Sequence, residues 1–177
     1  MNIKQNEITI RNATIADAEV LCKWWNDGAV MAHAGFPNGV NTTVERIQAS
    51  LLKDDDATHR RHILCYQDIP IGESNYRNLG NGVAELGIKI CEPTMQSKGL
   101  GTIILSLIIN ELFEVYKFEK VILDTNTNNI RAQKTYQKLG FQVVGVKNLD
   151  WVDQNGVAQS SIDYELTPNN FINHSKK

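Results

Sequence analysis

The sequence predicts an α+β fold in α/β/α layers, built on a mixed, mostly antiparallel central sheet. Three observations carry that expectation. An alternating run from Val83 to Ile90 feeds a glycine-containing turn, and an apolar helix candidate leaves that turn at Leu100. A short apolar strand, Val121 to Asp124, follows the helix and returns parallel to Val83, as a right-handed crossover requires. From His62 onward the segments read β-β-β-α-β-α-β-β, with tight turns that impose antiparallel pairing on most neighbours.

Taken in order, Ile8 to Arg11 alternates as a first strand. Thr14 and Asp17 have capping-box spacing, and the helix after them puts Val20, Leu21, Trp24 and Trp25 on one apolar face. Asp27 to Asn41, with Gly28, Gly35, Pro37 and Gly39, is a loop by composition. Thr42 to Glu45 repeats the capping-box pattern before a helix carrying Val44, Ile47 and Leu51, and Asp54, Asp55 and Asp56 end it. His62 to Gln67 and Ile69 to Arg77 form a hairpin about Asp68 and Pro70. His59 and His62 run into a strand, where their side chains diverge, so they do not read as a metal pair.

Asn78 to Gly82 turns into the strand Val83–Ile90. Ala84, Leu86, Ile88 and Ile90 share one face of it, and Glu85, Gly87 and Lys89 the other. The helix from Leu100 to Tyr116 is apolar on nearly every side and is therefore expected to be buried. Asn126 to Asn129 is a polar loop before a helix over Ile130 to Leu139, which Gly140 closes as a left-handed cap. Phe141 to Val146 is a strand, and Leu149 to Val152 forms a hairpin with Val157 to Leu166 about Asn155 and Gly156.

The 177 residues read as one domain, 1–168, followed by a flexible tail, 169–177. A formal charge of -2 offers no attraction to nucleic acid or to an anionic membrane. Met1 to Glu7 holds no apolar leader and no later run approaches a membrane span, so the cytoplasm is the default location. Cys22, Cys65 and Cys91 are far apart with no C-x-x-C, which argues against disulfides and a zinc site.

The chemistry concentrates at Gln96, Ser97, Lys98, Gly99, Leu100, Gly101 and Thr102. A strand, a glycine turn and a helix start point unpaired backbone amides at an anion. A Walker loop needs Gly-Lys-Ser/Thr, which is absent around Lys98, and a dinucleotide fingerprint needs a small residue where Ile104 stands.

Gln96-x-x-Gly99-x-Gly101 resembles the acetyl-CoA loop of the GNAT superfamily of N-acetyltransferases. Asn129-x-x-Ala132, followed by Tyr136-x-Lys138-x-Gly140-Phe141, resembles that family's second signature, in the right order and at the right separation. Leu21 to Val30 and Asp124 to Thr127 resemble the Rim-type branch (ribosomal-protein-alanine acetyltransferases and their relatives), which acetylates protein N-termini and assorted small amines. The resemblance implies a parallel strand pair that splays open, acetyl-CoA as cosubstrate and an amine as acceptor. It assigns the pyrophosphate to residues 96–102, pantetheine to Ile88, Lys89 and Ile90, and a cofactor contact to the Asn129 amide. Tyr136 takes the position that protonates the departing thiolate. Gln96 departs from the commoner Arg there and removes a charge near the diphosphate.

An attacking amine must also lose a proton. Glu85 is the first candidate base, then Glu73, then His33, so the catalytic set is Tyr136, Glu85 and Asn129, with no metal. Cys91 reads as a small buried hydrophobe rather than an acyl carrier. A non-catalytic acyl-CoA-binding or sensing module on the same fold is the alternative. Oligomeric state is open, a homodimer included. The loops Asp27 to Asn41 and Lys147 to Ala158 are expected to build the acceptor site, and their mixed composition argues weakly against a highly charged polyamine.

Overall fold

The computed structural model describes residues 1–175. One eight-stranded sheet forms its spine, in the order β1-β2-β3-β4-β5-β6-β8-β7. The strands are β1 (Asn2–Gln5), β2 (Ile8–Asn12), β3 (His59–Tyr66), β4 (Ile69–Gly80), β5 (Val83–Ile90), β6 (Lys120–Asn126), β7 (Gln142–Val152) and β8 (Ala158–Leu166). Every pairing is antiparallel except β5 with β6. Helices α1 (Ala18–Trp25) and α3 (Val44–Leu51), separated in sequence by the single-turn α2 (Gly28–Met31), cover one face; α4 (Leu100–Glu114) and α5 (Ile130–Leu139) cover the other.

Period two divides the core between those layers. Leu64 of β3 packs with Leu86, Ile104 and Ile108, whereas its neighbours Ile63 and Cys65 pack with Leu21, Trp24 and Ile47. That division explains why β3 is apolar on both faces.

The parallel pair is brief. Only Val83, Ala84 and Glu85 pair with Lys120, Val121 and Ile122. Beyond them β5 stays with β4 and β6 with β8, so the two strands part and the β5 edge from Leu86 to Ile90 loses its neighbour. The expected splay is present.

Several local expectations change. The opening residues form β1, hydrogen-bonded to β2 through a turn at Asn6, because backbone pairing there does not require apolar side chains. Residues 27–41 are not wholly loop: Asp27 caps α2, and a 3-10 turn follows at Ala32–Ala34. The first box is formed by Thr14 and Asp17 as read, but it caps a 3-10 turn that leads into α1. The cap of α3 is Thr43, whose hydroxyl accepts from the Arg46 amide, one residue later than the predicted box. The two strands expected over 141–152 are one strand with a register shift between Lys147 and Trp151, where Leu149 sits at φ 51°.

The expected flexible tail is packed where it is described. Phe171 meets the Phe113 ring at 5.9 Å, and the His174 amide donates to Ser106 Oγ at 3.0 Å. The Asn170 carbonyl approaches Gly140 so closely that a Cβ there would lie 1.9 Å from it. This segment covers the outer side of α4, which accounts for a helix apolar nearly all round. Residues 176–177 of that expected tail lie outside the described residues.

Candidate active site

The gap between β5 and β6 opens into a cleft of about 1100 Å³ lined by α5, the α4 N-terminus, the strands and the α2 region. Its chemistry begins with backbone. Ser97 (φ 61°) and Gly99 (φ 79°) are left-handed, and that geometry turns the chain into α4 with its amides facing outward. Among the described residues, the amides of Ser97 through Gly101 donate to no protein acceptor; the first bond of the helix is Thr102 N–H to Gly99 O at 3.1 Å. A run of free amides at a helix N-terminus is a site for anionic oxygens. Gly101 is helical, and a Cβ built on it meets nothing within 4 Å. Packing within the protein therefore does not demand glycine there; the empty volume fits a ligand that approaches the backbone.

Gln96 fastens this loop. Its Nε2 donates to Ile90 O at 2.8 Å, and Arg131 Nη1 donates to its Oε1 at 2.6 Å. Arg131, in the first turn of α5, brings back a positive charge where Gln96 had removed one. The sequence reading missed it, although it lies inside the second motif.

Asn129 is the N-cap of α5. Its Oδ1 accepts from the Ala132 amide at 3.2 Å, and its Nδ2 donates to Thr125 Oγ1 at 3.2 Å. The side chain thus fixes α5 against β6 while it lines the cleft. Two turns on, Tyr136 is 7% exposed and wedged between the Phe141 and Tyr164 rings, at 5.6 and 5.4 Å. Its hydroxyl has no protein hydrogen bond among the described residues, and the residue lines the cleft. Burial, then the negative charge of Asp124, holds this phenol well above the ordinary tyrosine value. It is a proton donor throughout the physiological range.

The opposite sheet face carries the carboxylates. Glu85, the first candidate base, lines the cleft but is engaged by the Arg77 guanidinium. Glu73 is 4% exposed, and its Oε1 accepts from Trp25 Nε1 at 2.8 Å and Lys89 Nζ at 3.0 Å. His33 lines the α2 side of the cleft. The sequence pattern assigns Asp124 no catalytic role. Leu123 points into the core, so Asp124 points the other way and lines the cleft. Its carboxyl is raised by partial burial, then by Asp163 and Glu85. Asp124 stands open to the cleft, so solvent softens the burial and the like-charge contributions alike, and the direction stands.

The structure brings together in this cleft Tyr136, Glu85, Asn129, Ile88, Lys89, Ile90, Gln96, Ser97, Gly99, Gly101 and Thr102. Two expected residues fall outside its lining. Leu100 sends its side chain into the core, 8% exposed, and Lys98 is an exposed side chain with Nζ 3.9 Å from Met95 Sδ. Burial, then Glu73, pushes the Cys91 thiol up to about 12, so it carries almost no thiolate at neutral pH. No group of three or more metal-ligating side chains stands together among the described residues. No helix among them is long and apolar enough to cross a membrane.

Residues 7–142 match the family model described as an acetyltransferase (GNAT) domain. A spermine/spermidine N(1)-acetyltransferase of Bacillus subtilis is 38% identical over 65 residues, 37% of this chain and 43% of that protein. The chain thus spans less than half the length of that curated relative. Among solved structures, the spermidine N-acetyltransferase of Vibrio cholerae, in complex with CoA and spermine, superposes with a TM-score of 0.83. It is 20% identical, covering 94% of this chain and 98% of that one. RimL, a ribosomal L7/L12 alpha-N-protein acetyltransferase in complex with coenzyme A, reaches the same TM-score of 0.83 at 13% identity, with the same coverage of 94% and 98%. At those identities the two structures establish the fold.

Proposed function

Because the chain belongs to the GNAT acetyltransferase domain family, we propose that it is an acetyl-CoA-dependent N-acetyltransferase acting on a primary amine. One observation supports this above the others. The unpaired amides of Ser97 to Gly101 and the hydroxyl of the buried Tyr136 border the same cleft, at the gap between β5 and β6. An anion cradle and a proton donor in one cleft serve both ends of a thioester that carries a diphosphate.

In this reading the amides of Ser97 to Gly101, with Arg131 beside Gln96, hold the diphosphate. The free β5 edge from Gly87 to Ile90 lies along the pantetheine. Asp124 takes the proton that the attacking amine must lose, directly or through water, since its raised carboxyl is the more basic for it. Nitrogen bonds to the carbonyl carbon, the carbon–sulfur bond breaks, and Tyr136 gives its proton to the departing sulfur. The products are an acetamide and a thiol, so protons and electrons balance.

For the acceptor, the Rim-type resemblance suggests a protein N-terminus or a small amine, and the likeness to RimL concerns the fold alone. The Bacillus subtilis relative favours a small amine, because its similarity lies in the sequence itself. We adopt the small amine. The test is CoA release from acetyl-CoA across small amines, free amino acids and N-terminal peptides. Tight acetyl-CoA binding with no amine-stimulated release would identify a sensing module instead.

Two outcomes are expected within this scheme. Arg131→Ala should weaken acetyl-CoA about tenfold and flatten the salt dependence of its Kd, measured by calorimetry at two ionic strengths. The acid limb of kcat/KM should lie above the ordinary carboxylate range, because Asp124 must be deprotonated and its folded value is raised. Asp124→Asn should remove that limb and lower the rate about tenfold to a hundredfold; an unchanged pH profile would assign the base elsewhere.

A further inference from the structure

Among the cleft carboxylates, Glu73 is bound in an unusual way. Both of its protein donors, Trp25 Nε1 at 2.8 Å and Lys89 Nζ at 3.0 Å, converge on Oε1. Oε2 has no hydrogen-bond partner among the described residues, although the residue is 4% exposed and lines the cleft. His62 Nε2, not Glu73 Oε2, is the buried side-chain atom left without a partner among the described residues, so Oε2 keeps access to the cleft, where a ligand that brings a charged donor can reach it. The Trp25 clamp also fixes the rotamer, so Oε2 is presented in one direction.

Glu73 stands apart from the reacting groups. It pairs with Lys89 across β4 and β5, whereas Asp124 lies on β6, beyond β5. At least two strand spacings, about 10 Å or more, therefore separate their backbones, because β5 and β6 part beyond Glu85 and Ile122. That span suits the two ends of an extended aliphatic chain better than a direct proton transfer to Glu73. Among the residues of this sheet face that line the cleft, the carboxylates Glu73, Glu85 and Asp124 outnumber the cations Arg77 and Lys89 by one. Such a wall favours a cationic ligand. The loop composition had argued weakly against a polyamine; the charge that matters lies on the strands instead.

We infer that Glu73 is an acceptor-recognition residue whose free Oε2 binds a second ammonium group, remote from the amine that is acetylated. The acceptor is then a small di- or polyamine. The inference rests on the acetyltransferase reading above and assigns one residue the choice of substrate within it.

The experiment compares 1,4-diaminobutane with n-butylamine by steady-state CoA release. The wild-type protein should favour the diamine in kcat/KM. Glu73→Gln should cost the diamine about tenfold to a hundredfold more than it costs butylamine, and preserve acetyl-CoA affinity. Trp25→Phe, which leaves Oε1 with Lys89 alone and loosens the clamp, should give a smaller loss of the same preference, and it serves if Glu73→Gln folds poorly. Equal loss on both amines with a changed pH profile would make Glu73 a base and overturn the inference. Equal loss with a lowered melting temperature would make it structural and also overturn it. So would wild-type protein that does not discriminate the two amines, or that acetylates neither while accepting others. Failure of every amine to stimulate release, with acetyl-CoA still bound, sinks the enzyme reading itself.

Discussion

Tyr136→Phe lowers kcat about a hundredfold to ten-thousandfold, the range for loss of a positioned proton donor, and leaves acetyl-CoA affinity nearly unchanged. The expectation follows from how the ring is held. Tyr136 packs at steep angles against Phe141 and Tyr164, and its hydroxyl makes no protein hydrogen bond among the described residues. Removing that oxygen therefore breaks no internal contact, and the melting temperature should move little. The aromatic body keeps its burial while the proton is gone. Rate assays with saturating amine, together with a direct binding titration, separate the two quantities. A variant that keeps wild-type kcat would show that solvent protonates the leaving sulfur and that Tyr136 is packing alone.

The parts of this site that could be read from the sequence are those built from neighbours in the chain. The cradle is one such part: strand, left-handed turn and helix start lie within Val83 to Glu114, and each has a local signal. Asn129 and Tyr136 likewise share one helix and its cap. The missed features depend on pairings that no local pattern encodes. Trp25 reaches Glu73 across 48 residues, and Arg131 reaches Gln96 across 35. The role of Asp124 needed the face of β6, and that face is settled by pairing with β8, about forty residues later. The same limit explains the tail: its polar sequence hides Phe171, whose partner Phe113 belongs to α4.

Gly101→Val should weaken acetyl-CoA binding at least about a hundredfold, roughly 2.7 kcal/mol, while the protein itself loses no stability. These two effects point in opposite directions, which makes the result hard to imitate by misfolding. Gly101 lies in the first turn of α4 with a helical backbone, and an added Cβ meets no protein atom within 4 Å. Replacing a helical glycine with a residue that has a side chain restricts the unfolded chain, so thermal stability should hold or rise slightly. The new methyl groups occupy the space in front of the unpaired amides, which a diphosphate must enter to be bound. Gly99 cannot serve the same test, because at φ 79° a side chain would strain the turn and confuse stability with affinity. Gly101→Ala should sit between wild type and Val. Were Gly101→Val to bind acetyl-CoA as tightly as wild type, the anion would have to be held elsewhere, and the cradle would be only a helix start.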